Sequence, residues 1–341
     1  MSTKEHMLIT NAIFITWENQ RRSVELSRSL GIPIYIITPR IFRYNLRILR
    51  YLECTFHTLD ILINEQPKLL FVQNPSLILA VVAVLFKKIF KYRLIVDRHS
   101  NFKLSQDNKK ISFKIFNILS NYTIRNAELT IITNKFLLNF VEAIGGKGFI
   151  LEDKIPAINK GSMILLNGDV NVTFISTFSH DEPIDEVINA ANKLNPNWYI
   201  YITGKPNKHY MKMIHCGKIP KNVIFTDFLS ENDYQSLLIS SDIILVLTKH
   251  DHTLTCGAYE AVSIGKCLVI SDSDCLRSYF NKGAVYVKCD PCSIADGIKF
   301  AAANKSELEK DISTFRKRIE LDWAKKFDSL IENLKTFQQI Y

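Results

Sequence analysis

The chain has 341 residues, 47% of them hydrophobic and 23% charged, with 12 Gly and 10 Pro, a composition that excludes a disordered or collagen-like protein. The length suits two domains, each able to bury a core of its own. The net charge of +9 is unevenly spread: residues 1–150 hold 21 Lys/Arg against 10 Asp/Glu, and the remainder 22 against 24. A basic N-terminal half is therefore set to meet an anion, either phosphate or an acidic membrane surface.

Taken in chain order, Ala12–Trp17 (AIFITW) is an apolar run of strand length. Arg21–Leu30 follows as a short helix with Leu26 and Leu30 on one face and Gly31 as its stop. Ile32–Ile37, Leu69–Gln73, Leu94–Asp97 and Leu129–Thr133 are further short apolar strands, separated by helical patterns. Strands apolar on both faces that alternate with helices predict a parallel sheet covered on both sides. After Gly145-Gly146 and an irregular segment the pattern restarts. Strands are expected at Asn171–Ile175, Trp198–Thr203, Asn222–Phe225, Ile243–Leu247, around Val269-Ile270 and at Ala284–Val287, with helices at Ile184–Leu194 and Glu231–Ser240. The final stretch from Glu307 is a long charged helical pattern whose apolar face includes Phe315, Ile319, Trp323 and Leu330. The fold expected is α/β, two tandem doubly wound Rossmann-like domains covering residues 1–160 and 161–310, with a C-terminal helix over 311–341 packing back across them.

The seven cysteines are odd in number and scattered, which fits reduced thiols rather than a disulfide framework. Cys289-Asp-Pro-Cys292 lacks a second pair and leads into a helix pattern, so no metal is assigned to it. The first seventeen residues lack the basic start, apolar core and cleavage site of a signal peptide, and a cytoplasmic protein is expected. No GxGxxG follows the first strand, where Glu18-Asn19-Gln20-Arg21 stands, and there is no Walker loop. Dehydrogenase and ATPase readings lose their main signals.

His250–Asp272 (HDHTLTCGAYEAVSIGKCLVISD) is the stretch richest in chemistry. A polar loop enters a short helix, read as Ala258–Ile264 with Gly265 as its stop and Glu260 in its first turn, and a buried strand follows. Unpaired N–H groups and partial positive charge at a helix start suit an anionic ligand. In open α/β sheets ligands collect at the carboxyl ends of strands, and two such domains facing each other suit a reaction between two molecules.

Thr173–Ala191, Ile202–Pro206 (ITGKP), Phe225–Asp242 and the loop and helix just described resemble the C-terminal domain of GT-B glycosyltransferases. The patterns most similar are those of family 4 and of the β-1,4-mannosyltransferases that extend dolichol-linked chitobiose. The likeness covers most of residues 171–300. The N-terminal half resembles them through Val72-Gln73-Asn74-Pro75 and through Asp97-Arg98-His99-Ser100-Asn101, which is similar to Asp-x-His-Asn with Ser100 inserted.

The resemblance implies a nucleotide-sugar donor, UDP- or GDP-linked, with no cofactor. Glu260 matches the second glutamate of the E-x7-E motif, an acceptor for ribose hydroxyls. The first glutamate is replaced by His252, with Asp251 beside it as a substitute acceptor. Lys205 matches the basic residue that balances diphosphate charge. Ser176-Thr177 stands where family 4 has its GRL loop, so hydroxyls and backbone N–H groups, Thr177 among them, would share that work. Thr255, Cys256, Gly257 and Ala258 would present N–H groups to the distal phosphate. With Lys205 they would stabilise the leaving group without a metal. On the N-terminal side Asp97 and His99 are the candidates for chemistry, Asp97 as the base of an inverting transfer. Retention and inversion both stay open.

Arg43, Arg47 and Arg50 recur at helical spacing beside Phe42, Ile48, Leu49 and Leu52, a basic amphipathic pattern suited to an acceptor or membrane surface. Leu77–Phe86 is too short to span a bilayer and reads as a helix covering the first sheet. The expected function is metal-independent transfer of a hexose-type sugar to a glycan or a polyprenyl-diphosphate-linked glycan in cell-surface polysaccharide or glycoconjugate synthesis, with peripheral membrane contact. Two rivals share the fold: a non-catalytic nucleotide-sugar- or nucleic-acid-binding module, and a sugar-diphosphate epimerase. No RRM, helix-turn-helix or stacking motif is evident, so no nucleic-acid partner is expected.

Overall fold

The computed structural model describes residues 9–39, 47–74, 76–99, 111–158 and 161–338. The chain divides into two compact units: unit 1 runs to Lys154 and includes the segment from Trp323, and unit 2 is Ile155–Asp322.

Unit 1 contains β1 (Ala12–Thr16), α1 (Arg21–Leu30), β2 (Ile34–Ile36), α2 (Arg47–Glu65), β3 (Leu69–Gln73), α3 (Leu77–Phe90), β4 (Arg93–Asp97), α4 (Ile111–Asn126), β5 (Leu129–Ile132), α5 (Lys135–Ala143) and β6 (Gly148–Ile150). The strands form one parallel sheet in the order β2-β1-β3-β4-β5-β6. The two-residue period of a strand sends alternate side chains to opposite faces. Ile13, Ile15, Leu70, Val72, Leu94 and Val96 meet the residues of α3 on one face. Phe14, Leu69, Phe71 and Ile95 meet Leu26 and Leu30 of α1 on the other.

Unit 2 repeats the plan with β7 (Val170–Phe174), α6 (Ile184–Ala191), β8 (Trp198–Ile202), α7 (Lys208–His215), β9 (Val223–Phe225), α8 (Glu231–Ser240), β10 (Ile243–Val246), α9 (Cys256–Ile264), β11 (Cys267–Ser271), α10 (Asp274–Tyr279), β12 (Ala284–Val287) and α11 (Pro291–Ala303). Its sheet is parallel, in the order β12-β11-β10-β7-β8-β9. Val172, Phe174, Ile243 and Leu245 pack with α6 and α11, and Ile244, Val246, Leu268 and Ile270 with α9.

The last helix, α12 (Lys305–Gln338), contributes to both units. Ile312, Phe315 and Ile319 enter the core of unit 2, whereas Leu330 and Leu334 enter that of unit 1. Trp323 Nε1 donates to the Glu152 carbonyl at 3.0 Å and Lys326 pairs with the Glu152 carboxylate at 2.5 Å. The helix thus begins at 305 rather than 311, and the division falls at Lys154/Ile155, a few residues before the expected one.

Three elements escape the sequence reading for local reasons. Strand β6 has three residues, all half-buried at the sheet edge. Helix α7 (KHYMKMIH) has eight residues and buries only Tyr210, so its apolar stripe, Tyr210, Met213 and Ile214, spans barely one turn. Helix α10 has six residues. Helix α9 also starts two residues earlier than read, because Thr255 takes the N-cap position in extended conformation. Glu260 therefore lies in the second turn, and it is buried.

Candidate functional site

The order of unit 2 reverses between β7 and β10, and that reversal is where open α/β sheets hold ligands. Direct bonds tie the two loops there. Lys249 N–H donates to the Asp181 carbonyl at 2.8 Å, and Thr248 Oγ1 donates to Asp181 Oδ2 at 2.6 Å. His180 and His250 meet edge-on with ring centroids 5.5 Å apart, and Lys249 Nζ pairs with Glu186 at 2.8 Å. Burial pushes the Asp181 carboxyl up, but the Ser179 and Thr248 hydroxyls outweigh it and hold it below the ordinary range.

Two neighbouring loops join this edge through close backbone approach. Gly204, at φ +87°, would place a Cβ 2.5 Å from the Ser176 carbonyl oxygen, so both its conformation and its space require glycine. That contact sets the Lys205 loop against Ser176-Thr177. Gly257, in the first turn of α9, lies against Ile175, the residue after β7. The start of α9 is thereby held at the point of reversal.

At that start no side chain caps the helix, and Thr255 Oγ1 is buried without a hydrogen-bond partner. A buried hydroxyl in that state is costly unless a ligand or water completes it. The Ala258 N–H is turned back to the Thr255 carbonyl at 3.1 Å, so of the four residues assigned to phosphate it is not an outward donor here. Tyr234 Oη of α8 donates to Glu260 Oε2 at 2.5 Å. The neighbour that fixes one carboxylate oxygen comes from a different helix. His252 is at φ +63°, a left-handed backbone that few non-glycine residues adopt, and its ring is half-buried. Lys205 is exposed, and no carboxylate engages it among the described residues.

Thr177 requires a correction. Its N–H donates to both Glu182 oxygens at 3.1 and 3.0 Å and its Oγ1 to Oε1 at 3.2 Å, while Ser176 Oγ and Ser179 N–H donate to the same carboxylate. The anion held by this loop is Glu182, an internal one. Neither the hydroxyl nor the N–H of Thr177 is spare for a phosphate in this conformation. Sequence reasoning missed Glu182 and Tyr234. The acidic run after Ser179 was the available signal for the first; the second depends on how α8 packs beside α9.

Unit 1 has its own reversal, between β1 and β3. Here a cavity of about 430 Å³ is lined by Trp17 and Glu18 after β1, Ser76 at the start of α3, Arg50 and Tyr51 of α2, and Phe116 of α4. The Trp17 and Tyr51 rings stack at 6.1 Å, and Trp17 Nε1 donates to Thr58 Oγ1 at 3.0 Å. Arg50 is exposed at the cavity. Arg43 lies outside the described residues, and Arg47 opens α2 with a side chain that is also outside them.

Asp97, at the end of β4, is fully buried. Arg22 Nε donates to its two oxygens at 3.0 and 3.1 Å and Nη2 to Oδ1 at 2.9 Å, while Arg22 also reaches Asp153 and the Leu151 carbonyl. Burial alone would raise the Asp97 pKa, but the Arg22 charge and then His99 outweigh it and bring it down to about 2. The same burial works against the Arg22 charge, and Asp97 with Asp153 reverses that effect too. A carboxylate so held is a poor base and meets no solvent, which corrects the expectation that Asp97 takes a proton. His99, with 15% of its side chain exposed, has Nδ1 3.7 Å from Asp97 Oδ2. That separation is longer than a hydrogen bond, and the buried His99 Nδ1 makes none among the described residues; His99 is the more accessible member of the pair.

Two parallel six-stranded sheets with covering helices and a long final helix define the GT-B architecture, and the comparisons agree. Residues 164–318 match the model of the family described as glycosyl transferases group 1. Sucrose-phosphate synthase from Thermosynechococcus elongatus superposes with a TM-score of 0.77 at 10% identity, over 96% of this chain and 99% of that one. Anabaena HepE in complex with UDP and glucose gives 0.72 at 14% identity, over 95% and 99%. A putative UDP-N-acetylglucosamine 2-epimerase from Listeria monocytogenes gives 0.59 at 11% identity, over 91% and 94%. No curated protein sequence matches the chain.

Proposed function

We propose that the protein is a glycosyltransferase that moves a hexose-type sugar from a nucleoside diphosphate donor, bound by unit 2, to a hydroxyl of a glycan or polyprenyl-diphosphate-linked glycan, bound by unit 1. The observation that carries this reading is the start of α9: a buried Thr255 hydroxyl without a partner at its N-cap and a buried Glu260 carboxylate in its second turn, inside the segment similar to glycosyl transferases group 1. Glu260 accepts the ribose hydroxyls. Lys205 and the α9 terminus bind the diphosphate and take up its charge as the bond from the anomeric carbon to phosphate oxygen breaks, with no metal required. Since HepE structures hold UDP and UDP-glucose, uridine diphosphate sugars are the first donors to test.

The fold is common to transferases and an epimerase, so it does not choose between them. The unit 1 cavity favours transfer, because its stacked Trp17–Tyr51 pair, Glu18 and Arg50 supply an aromatic surface and charged groups for a second, separate substrate. As the acceptor hydroxyl attacks the anomeric carbon, His99 takes its proton, and the Asp97 carboxylate 3.7 Å from its Nδ1 offsets the charge the ring gains. The class of surface glycoconjugate synthesis follows from that acceptor.

The test is a panel of UDP- and GDP-sugars incubated with the protein in EDTA, followed for slow hydrolysis and for transfer to lipid-linked glycans. Transfer that persists in EDTA supports the reading. Binding of nucleotide without turnover of any sugar would instead support the non-catalytic module. The anomer of the product, read by proton NMR, assigns the base: inversion fits His99, and retention gives the proton to the donor phosphate.

A further inference from the structure

We propose that the outer face of α2, α3 and α4 in unit 1 docks on an anionic lipid bilayer. Helix α4 is amphipathic in the reverse sense. Its buried residues are Ser120, Thr123 and Ile124, whereas Ile111, Ile115, Ile118 and Tyr122, spaced as one helical stripe, are exposed, Ile111 by 76% and Ile118 by 67%. A helix that faces water carries its apolar stripe inward. Helix α2 turns Cys54, Thr58 and Leu62 inward in the ordinary sense but also exposes a second apolar set, Ile48, Leu52, Phe56 and Ile63, Phe56 by 71%. Helix α3 packs against both and adds Leu85 and Ile89 to the exposed set. Three helices packed in series, α2 on α3 and α3 on α4, thus each expose apolar side chains, more than the scattered single residues of an ordinary monomer.

The charges decide what covers it. Helices α3 and α4 contain no Asp or Glu, the exposed acids of α2, Asp60 and Glu65, stand in its C-terminal half, and Lys88, Lys114 and Arg125 on α3 and α4, with Arg50 on α2 and Lys91 after α3, are exposed. Protein interfaces deplete lysine, whereas long basic side chains around an apolar stripe suit the boundary between acyl chains and anionic headgroups. Among the described residues no helix is long and apolar enough to cross a membrane, so the surface lies on the bilayer. The cavity of unit 1 is lined by the same three helices, so an acceptor anchored in that bilayer would meet it from this side; this last consequence alone rests on the transfer reading.

The experiment is flotation of the full chain with vesicles of phosphatidylcholine alone and of phosphatidylcholine with phosphatidylglycerol. Phe56 and Ile118 lie outside the cavity lining and are exposed, so Phe56→Asp/Ile118→Asp should leave the melting temperature unchanged. The wild-type protein is expected to float with anionic vesicles, with binding weakened by salt, and the double variant to bind at least tenfold less. A second variant, Lys88→Glu/Lys114→Glu, should lose the preference for phosphatidylglycerol. Wild-type protein that fails to float, or a double variant that floats as well as wild type, overturns the proposal. So does a dimer, detected by light scattering, that the double variant dissociates. Nucleotide binding is measured on the same samples and is expected unchanged, so failure here leaves the transfer reading standing.

Discussion

Replacing Glu260 by Gln keeps the shape of a buried side chain and removes its charge. Hydrogen bonds to charged groups contribute about 1.5–3 kcal/mol each, so losing the charged acceptor should weaken donor binding about tenfold to a hundredfold. The fold must be separated from the site, because Tyr234 Oη also bonds to this carboxylate at 2.5 Å. Tyr234→Phe serves as the control: it removes that neighbour, should lower stability by about 1 kcal/mol, and should leave the ribose contacts in place. Isothermal titration compares UDP with 2′-deoxy-UDP and 3′-deoxy-UDP on wild type and both variants. Wild type and Tyr234→Phe should discriminate against at least one deoxy analogue, and Glu260→Gln should not. A Glu260→Gln protein that keeps the wild-type discrimination would refute the ribose assignment, whatever its overall affinity.

Lys205→Ala should weaken UDP-sugar binding about tenfold, consistent with one charge-assisted contact, with little effect on uridine; equal losses for both ligands would remove Lys205 from the phosphates. His99→Gln should lower kcat by about 10²–10⁴ if His99 is the base, while the donor Kd stays unchanged; an unaltered kcat assigns proton removal elsewhere. Asp97 bears on acid stability. Its folded pKa of about 2 lies below the ordinary value of 3.8, so the unfolded chain binds the proton more readily. The stabilisation is complete above about pH 4, is lost as pH falls from about 4 to 2, and is on the order of 2 kcal/mol. Asp97→Asn should flatten that part of the acid unfolding profile, and since Arg22 keeps Asp153 as a partner it should cost less than the ~3–5 kcal/mol of an uncompensated buried charge at neutral pH. An unchanged acid limb measured by urea unfolding would contradict the ion pair.

The strands were legible because their signal is local. Runs such as LLFV and IILV are apolar at every position, which only a strand covered on both faces tolerates, and Gly31 and Gly265 stop their helices in left-handed conformation as expected. The α9 loop was legible too, since a polar loop before a short helix and a strand is written in consecutive residues. Its details were less so. A shift of two residues at the N-cap moved Glu260 from the first turn to the second, and nothing in the sequence fixes which residue takes the extended cap conformation.

Tertiary structure alone decided how the polar residues are used. Asp97 stands at a strand end, which sequence reads as a reactive place; that its partner is Arg22, 75 positions away, follows only from the fold, which brings the first turn of α1 to the end of β4. Thr177 reads as a phosphate donor until the turn brings Glu182 onto its N–H and hydroxyl. In α4 the pattern of isoleucines predicts a helix but not that its apolar stripe faces outward, because that depends on which side Ser120 and Thr123 turn toward α3. The sequence by itself determined the period, order and hand-over of strands and helices, since backbone hydrogen bonding and apolar burial act on neighbours in the chain. Charge pairing and exposure are properties of groups distant in sequence, and folding had to bring them together before either had a value.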